Sequence, residues 1–143
     1  MTDRSGAPTR TARLTLPAGV TLGRVACTSL NQCEVAGLSD FRRPVKVVLG
    51  DWNGHRLTLR EIAAPVGGTN PTFGGLSCSG SFCELVAYTQ KAVRTFGIIV
   101  TIHAGRPDGM RFAPGDELND VSCISASLCY AAARAPAVDW YCG

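Results

Sequence analysis

Histidine is almost missing from this chain, charge is sparse, and no long apolar run occurs. The two histidines, His55 and His103, lie far apart in the sequence. A general base or metal cluster built on imidazole would therefore depend on distant residues meeting. There is no Gly-x-Ser-x-Gly elbow, His-Glu-x-x-His pair, phosphate loop or calcium loop. Charged residues make up 17% of the 143, the formal net charge is +3, and the arginines are scattered. A nucleic-acid surface wants a clustered basic stripe, so that class is set aside. The longest apolar run, "FGIIVTI" at 96–102, has strand length. It falls well short of the roughly 18 residues of a spanning helix, which argues against membrane insertion by helices. The opening "MTDRSGAPTRTAR" is polar and lacks the apolar stretch of a secretory signal. Residues 1–11 read as a flexible segment ahead of one domain over 12–143.

What the chain does hold is cysteine, glycine and proline, with counts of 7, 16 and 8. Glycine and proline at this level favour many turns over long helices, and no 3.6-residue apolar stripe is visible. The cysteines fall in a pattern. "VACTSLNQCEVAG" (25–37) is echoed by "LSCSGSFCELVAY" (76–88) and "VSCISASLCYAAA" (121–133). First cysteines Cys27, Cys78 and Cys123 are 51 and then 45 residues apart. A period of about 48 suits a four-stranded propeller blade.

Each unit reads as short extended runs. In the first, "LGRVAC" turns into "CEVAGL", followed by "VKVVLGDW" and "RLTLREI". The step Asn53-Gly54 predicts a type I′ hairpin turn, with positive φ at both central residues. The second unit supplies "FGGLSC", "CELVAYT", "TFGIIVTIHAG" and "GMRFAP", with "PDG" at 107–109 read as turn chemistry. The third supplies "LNDVSC", "CYAAARA" and "VDWYCG". Units are placed at 22–65, 74–114 and 118–143. Residues 12–19, "ARLTLPAG", are expected to form a strand that completes the last blade, because such closure removes an exposed edge. The expected fold is all-β: a β-propeller-like array of about three four-stranded antiparallel blades, partial or closed by self-association.

The cysteine spacing bears on redox state. Zinc knuckles leave two to four residues between their cysteines and bring four ligands together. Here five, four and five residues intervene, and the pairs lie on separate units. A redox pair wants Cys-x-x-Cys at a helix N-terminus, and neither is present. Disulfides across the mouths of hairpins fit: Cys27–Cys33, Cys78–Cys83 and Cys123–Cys129. Closing loops this short stabilises by about 2 kcal/mol each on the chain-entropy estimate. Cys142 is left without a partner, and no metal or cofactor is expected. Three disulfides imply an extracellular or cell-surface setting, although without a visible signal peptide a cytoplasmic one stays open.

These units resemble a bacterial Cys-containing propeller-like repeat family, whose members repeat a "VSCxSxxxCxAVG" hairpin, a "WNGxxW" turn and a "PxPxG" linker. The matching residues are "VACTSLNQCEVAG", "LGDWNGHRLTL" and "AAPVGG" in unit one, and "VSCISASLCYAAA" with "DWYCG" in unit three. Unit two departs, with "TIHAGRPDGM" in place of the Trp-Asn-Gly turn. The resemblance implies architecture and carries no catalytic residues.

For function, Asp51 and Asp139 precede Trp52 and Trp140, and an aromatic beside a carboxylate can hold a sugar. With His55, these are the candidate binding residues. Glu34 and Glu84 follow paired cysteines, whereas unit three has Tyr130 there, which argues against a repeated catalytic ring. The expectation is a non-enzymatic module that binds protein or carbohydrate through blade loops such as 38–44, 66–74 and 88–95. The alternatives are a propeller-type hydrolase or lyase, and a subunit closing a six-bladed ring as a homodimer.

Overall fold

In the computed structural model, residues 13–40, 45–62, 71–114 and 117–134 are described. They form ten strands and no helix. Strands β1 (Val20–Ser29), β2 (Gln32–Ser39), β3 (Lys46–Trp52) and β4 (Leu57–Ile62) make a first sheet. A second comprises β5 (Thr72–Ser79), β6 (Phe82–Lys91), β7 (Arg94–His103) and β8 (Arg106–Pro114). The third holds β9 (Glu117–Ser125) and β10 (Leu128–Arg134). All three are antiparallel, and each four-stranded sheet is a simple meander in chain order. "VDWYCG", Asp139, Trp140 and Cys142 lie outside the described residues.

The strands follow from alternation. On β6 and β7, Cys83, Leu85 and Ala87 pair with Ile102, Val100 and Ile98. This row packs against Ala36, Val47, Leu49 and Ile62 of the first sheet. The opposite face of the second sheet, with Val86, Ile99 and Ala113, packs against Leu118, Val121 and Cys129 of the third. Both faces of the second sheet are therefore covered. Its central strand "RTFGIIVTIH" accordingly shows a nearly continuous apolar run rather than strict alternation. Each sheet turns the same face toward the next one in the chain. We call this the leading face and its reverse the trailing face.

The first strands of the sheets lie side by side. Arg24 on β1 donates from Nε to the carbonyl of Gly74 on β5 at 2.7 Å. The Cys123 amide on β9 donates to Ser77 Oγ on β5 at 2.9 Å. A close approach makes glycine necessary at Gly74: a Cβ there would stand 2.3 Å from the Leu118 carbonyl oxygen.

Four local expectations are corrected. Residues 13–19 hold no strand. The chain enters β1 only at Val20, after a turn in which the Val20 amide donates to the Pro17 carbonyl. At the β3–β4 connection only Gly54 has positive φ, so the turn is not type I′. Instead Asn53 Oδ1 accepts from the His55 and Arg56 amides at 3.1 and 2.8 Å, organising a four-residue loop. "PDG" is not a turn: it runs inside β8, where the register slips between Thr101 and Ile102. Proline is tolerated there because β8 is an edge strand with a bulge. The turn lies earlier, at Ala104 and Gly105, with φ of 49° and 73°. Finally, 88–95 is not a loop but the ends of β6 and β7 around a two-residue turn.

Candidate functional site

The three cysteine pairs stand directly opposite one another on their hairpins and form disulfides. Their Cα atoms are 3.8, 4.0 and 4.0 Å apart. Alternation puts each bridge on the trailing face of its sheet, and the residue after the second cysteine on the leading face. That next residue is Glu34 in the first sheet and Glu84 in the second. Both are almost fully buried, at 4% and 1% exposure.

Each glutamate borders a cleft between consecutive sheets. The first cleft, about 230 Å³, is lined by Thr28, Gln32 and Glu34 on one side, and by Ser81, Ala104 and Gly105 on the other. The second, about 280 Å³, is lined by Phe82, Glu84, Thr101 and Arg111, and by Ala126 and Ser127 of the third hairpin. The two correspond position by position. Gln32 and Phe82 precede the second cysteine of each pair. The turn residue Ser81 closes the first cleft, as Ser127 closes the second.

Their electrostatics differ. Across from Glu84 on β7 is Thr101, and Arg111 Nη2 reaches Glu84 Oε1 at 2.8 Å. Across from Glu34 on β3 is Asp51. Arg60 occupies the strand position matching Arg111, but its Nη1 donates to the Gly105 carbonyl at 2.8 Å. Glu34 Oε2 and Asp51 Oδ1 are buried without a hydrogen-bond partner. Burial, reinforced by the negative charge of Asp51 and opposed by Arg60, pushes the Glu34 carboxyl up from 4.5 to about 7. Glu34 therefore keeps its proton to near neutral pH, where an ordinary carboxyl would have lost it.

Asp51 and Trp52, read from sequence as one sugar-binding pair, lie on opposite faces of the first sheet. Asp51 pairs with Glu34 on the leading face, and Trp52 pairs with Cys33 on the trailing face. His55 is exposed on the loop beyond them. Asp51 thus lies beside Glu34 and Gly105, which line the first cleft, whereas Trp52 sits beside the Cys27–Cys33 bridge. Sequence reading noted Glu34 and Glu84 but not the clefts they border. Their shared place after a trailing-face cysteine was the available signal.

Glu84 also lies with the sulfurs of Cys123 and Cys129, ligand atoms within 4.8 Å of one another. Those sulfurs are joined to each other and offer no thiolate, so the group is not a metal-ligand set.

The fold and its bridges define an all-β protein of stacked, disulfide-stapled antiparallel sheets. Compared with family models, curated proteins and solved structures, the chain matches none. Its three disulfides fit an oxidising, extracellular setting. Among the described residues, no helix is long and apolar enough to cross a membrane.

Proposed function

We propose that the chain is a non-enzymatic interaction module of propeller-like blades, exported or displayed at the cell surface, which holds a protein or carbohydrate ligand in the inter-sheet clefts. Support for the blade reading comes from the meander order of the sheets, the adjacency of their first strands, and the common sense in which they stack. The resemblance to Cys-containing propeller-like repeats points the same way. The observation that carries the binding reading is the recurrence of one cleft. It is walled by the tight cysteine hairpins and has a buried carboxylate at equivalent positions.

At 230 and 280 Å³ the clefts fall below the roughly 300–1,000 Å³ of a typical small-molecule pocket. They suit a projecting group: one side chain of a partner protein, or one sugar unit of a glycan. Probing glycan and peptide arrays with the wild-type chain and with Ser81→Trp tests this. The bulky side chain on an exposed turn residue fills the first cleft without entering the core. Hits on the wild type that weaken at least tenfold in the variant support the reading. An empty array, or hits that ignore the substitution, overturn it.

One observation favours a hydrolase as the second reading: Glu34 is protonated near neutral pH beside a second carboxylate, as a general acid requires. Turnover of an arrayed glycan, abolished in Glu34→Gln, would replace the first reading by this one.

A further inference from the structure

Glu84, buried at 1% exposure, is met by Arg111 Nη2 at 2.8 Å. Glu34, at the matching position, is buried at 4% exposure, and its Oε2 has no hydrogen-bond partner among the described residues. The neighbouring Asp51 Oδ1 is buried without one as well. A buried carboxylate is normally met by donors or a cation, because leaving it unmet costs its full desolvation. The chain carries a cation at the right strand position, since Arg60 stands on β4 where Arg111 stands on β8. Its Nη1 donates instead to the Gly105 carbonyl, at 2.8 Å, in the β7–β8 turn of the next sheet. The third sheet, with two strands among the described residues, presents no such turn to Arg111.

Gly105 also limits how Glu34 can be approached. A Cβ there would stand 3.2 Å from Glu34 Oε1 and 3.3 Å from Asp51 Cγ. The turn backbone thus closes over the two carboxyls from one side, and the cleft of about 230 Å³ borders Glu34 from the other. Thr28, Ser29, Gln32 and Ser81 line that cleft with hydroxyl and amide oxygens, which accept from N–H donors. The second sheet brings no charged side chain to it. The charges that act on Glu34 are those of Asp51 from β3 and Arg60 from β4.

We propose that the first cleft takes an arginine side chain of a partner protein, whose guanidinium pairs with Glu34 as Arg111 pairs with Glu84. This rests on the binding reading of the cleft and deepens it by naming the partner's chemistry. A guanidinium carries five N–H donors in a planar fork, enough for the carboxylate and the surrounding oxygens together, and is more weakly hydrated than an ammonium. Calcium fits less well: it takes about six to eight oxygen ligands, and Glu34 is the one carboxylate among the residues lining the cleft. Burial and Asp51 keep Glu34 protonated up to about 7. A guanidinium beside it favours the charged form, so entry of the side chain displaces that proton.

Titration with N-acetylarginine methylamide and its neutral isostere N-acetylcitrulline methylamide, followed by amide NMR, tests the proposal. At about pH 8 Glu34 is ionised. The arginine probe is expected to shift the Ala104 and Gly105 amides saturably, with the citrulline probe at least about tenfold weaker. Glu34→Gln should lose at least about tenfold in affinity for the arginine probe. It keeps the side-chain volume and the neutral state that Glu34 holds below about 7, and thiol counting after denaturation checks that the bridges persist. Ser81→Trp, at an exposed turn position, blocks the cleft without altering either carboxyl and should abolish the shifts. Absent binding, equal affinity for the two probes, or arginine binding that survives both substitutions overturns the proposal. Calcium chloride shifting these amides where the arginine probe does not overturns it in favour of a metal site. The arrays keep the two readings apart. Hits that lack arginine and still weaken in Ser81→Trp leave the cleft a binding site and overturn its arginine chemistry alone. An empty array beside saturable arginine binding removes the broader reading while the pairing with Glu34 stands.

Discussion

Glu34 and Glu84 occupy the same place in successive sheets, each buried and each following a bridged cysteine. Only one of them has been given an arginine. Glu84 meets Arg111 at 2.8 Å, and a neutral threonine faces it from β7. Glu34 faces Asp51, and the arginine at the matching position, Arg60, is spent on the Gly105 carbonyl. The fold thus repeats a position without repeating its chemistry. In the second cleft the carboxylate is part of a structural ion pair. In the first it is an acid kept protonated by burial and a like-charged neighbour. The first cleft is the better candidate for a binding role, because Glu34 Oε2 and the adjacent Asp51 Oδ1 are buried with no hydrogen-bond partner among the described residues.

Breaking the contact between the second and third sheets has the largest expected effect. Gly74→Ala places a methyl group 2.3 Å from the Leu118 carbonyl oxygen, and neither backbone can yield without separating β5 from β9. A loss of roughly 3 kcal/mol is expected in urea unfolding, at the upper end of overpacking costs. Gly23, which precedes Arg24 on β1, is the control. A Cβ there meets only the Phe73 ring, at 4.0 Å, so Gly23→Ala should stay within about 0.5 kcal/mol. Equal costs at the two glycines would contradict the unequal approach of the first strands.

The two glutamates should separate by pH. A carboxyl whose folded value is raised binds more protons when folded than when unfolded. Its contribution to stability is then fully present below about 4.5 and is lost as pH rises through about 7. Integrated over that window the loss amounts to at most about 3 kcal/mol, with the opposing effect of Arg60 already contained in the shift. Glu34→Gln should flatten this limb of the stability–pH curve measured by chemical denaturation between pH 4 and 8. An unchanged limb in the variant would assign the slope to another group.

Removing the arginines sharpens the contrast at about 2 kcal/mol. Arg111→Met strips the counter-charge from a carboxylate that is 1% exposed, and a buried charge left without its partner is costly. The half-exposed guanidinium moderates that cost. Arg60→Met loses a single hydrogen bond to a backbone carbonyl and should cost about 1 kcal/mol or less. Thermal unfolding of the two variants at neutral pH compares them directly. A larger loss at Arg60 would reverse the assignment of structural and reactive clefts.

Much of the fold was legible because a hairpin bridge constrains so much. Cysteines directly opposite one another set the register of β1 with β2, β5 with β6 and β9 with β10. The runs flanking them had the right lengths and alternation. The site was harder to read. Adjacent residues in a strand point to opposite faces, so Asp51 and Trp52, neighbours in sequence, are separated by the sheet itself. Glu34 and Asp51, paired across strands, are brought together by a register that spacing alone does not specify. "PDG" looked like a turn because proline and glycine are turn residues, yet an edge strand with a bulge accommodates them as well. The true turn at Ala104 and Gly105 was read instead as the end of the preceding run "TFGIIVTIHAG", because alanine carries no turn signal and the stronger one lay in "PDG".

That turn carries the smallest predicted effect and the finest test of how the first cleft is held. Ala104 adopts φ of 49°, where a Cβ crowds the following carbonyl at a cost of about 1–2 kcal/mol. The conformation is imposed by what surrounds it. The Ala104 amide donates to the Ser81 carbonyl at 2.8 Å, and the Gly105 carbonyl accepts from Arg60 Nη1. Gly105 itself leaves no room to shift toward Glu34, whose Oε1 would stand 3.2 Å from an added Cβ. Ala104→Gly relieves the crowding but gives the unfolded chain more freedom, a counter-term of about 0.4–1 kcal/mol. A net gain of under about 1 kcal/mol is expected. In Arg60→Met the gain should shrink, because without its anchor the turn can relax toward an unstrained form even with alanine. A gain of the same size in both backgrounds would mean that Arg60 does not hold the turn, and that the first cleft keeps its shape by packing alone.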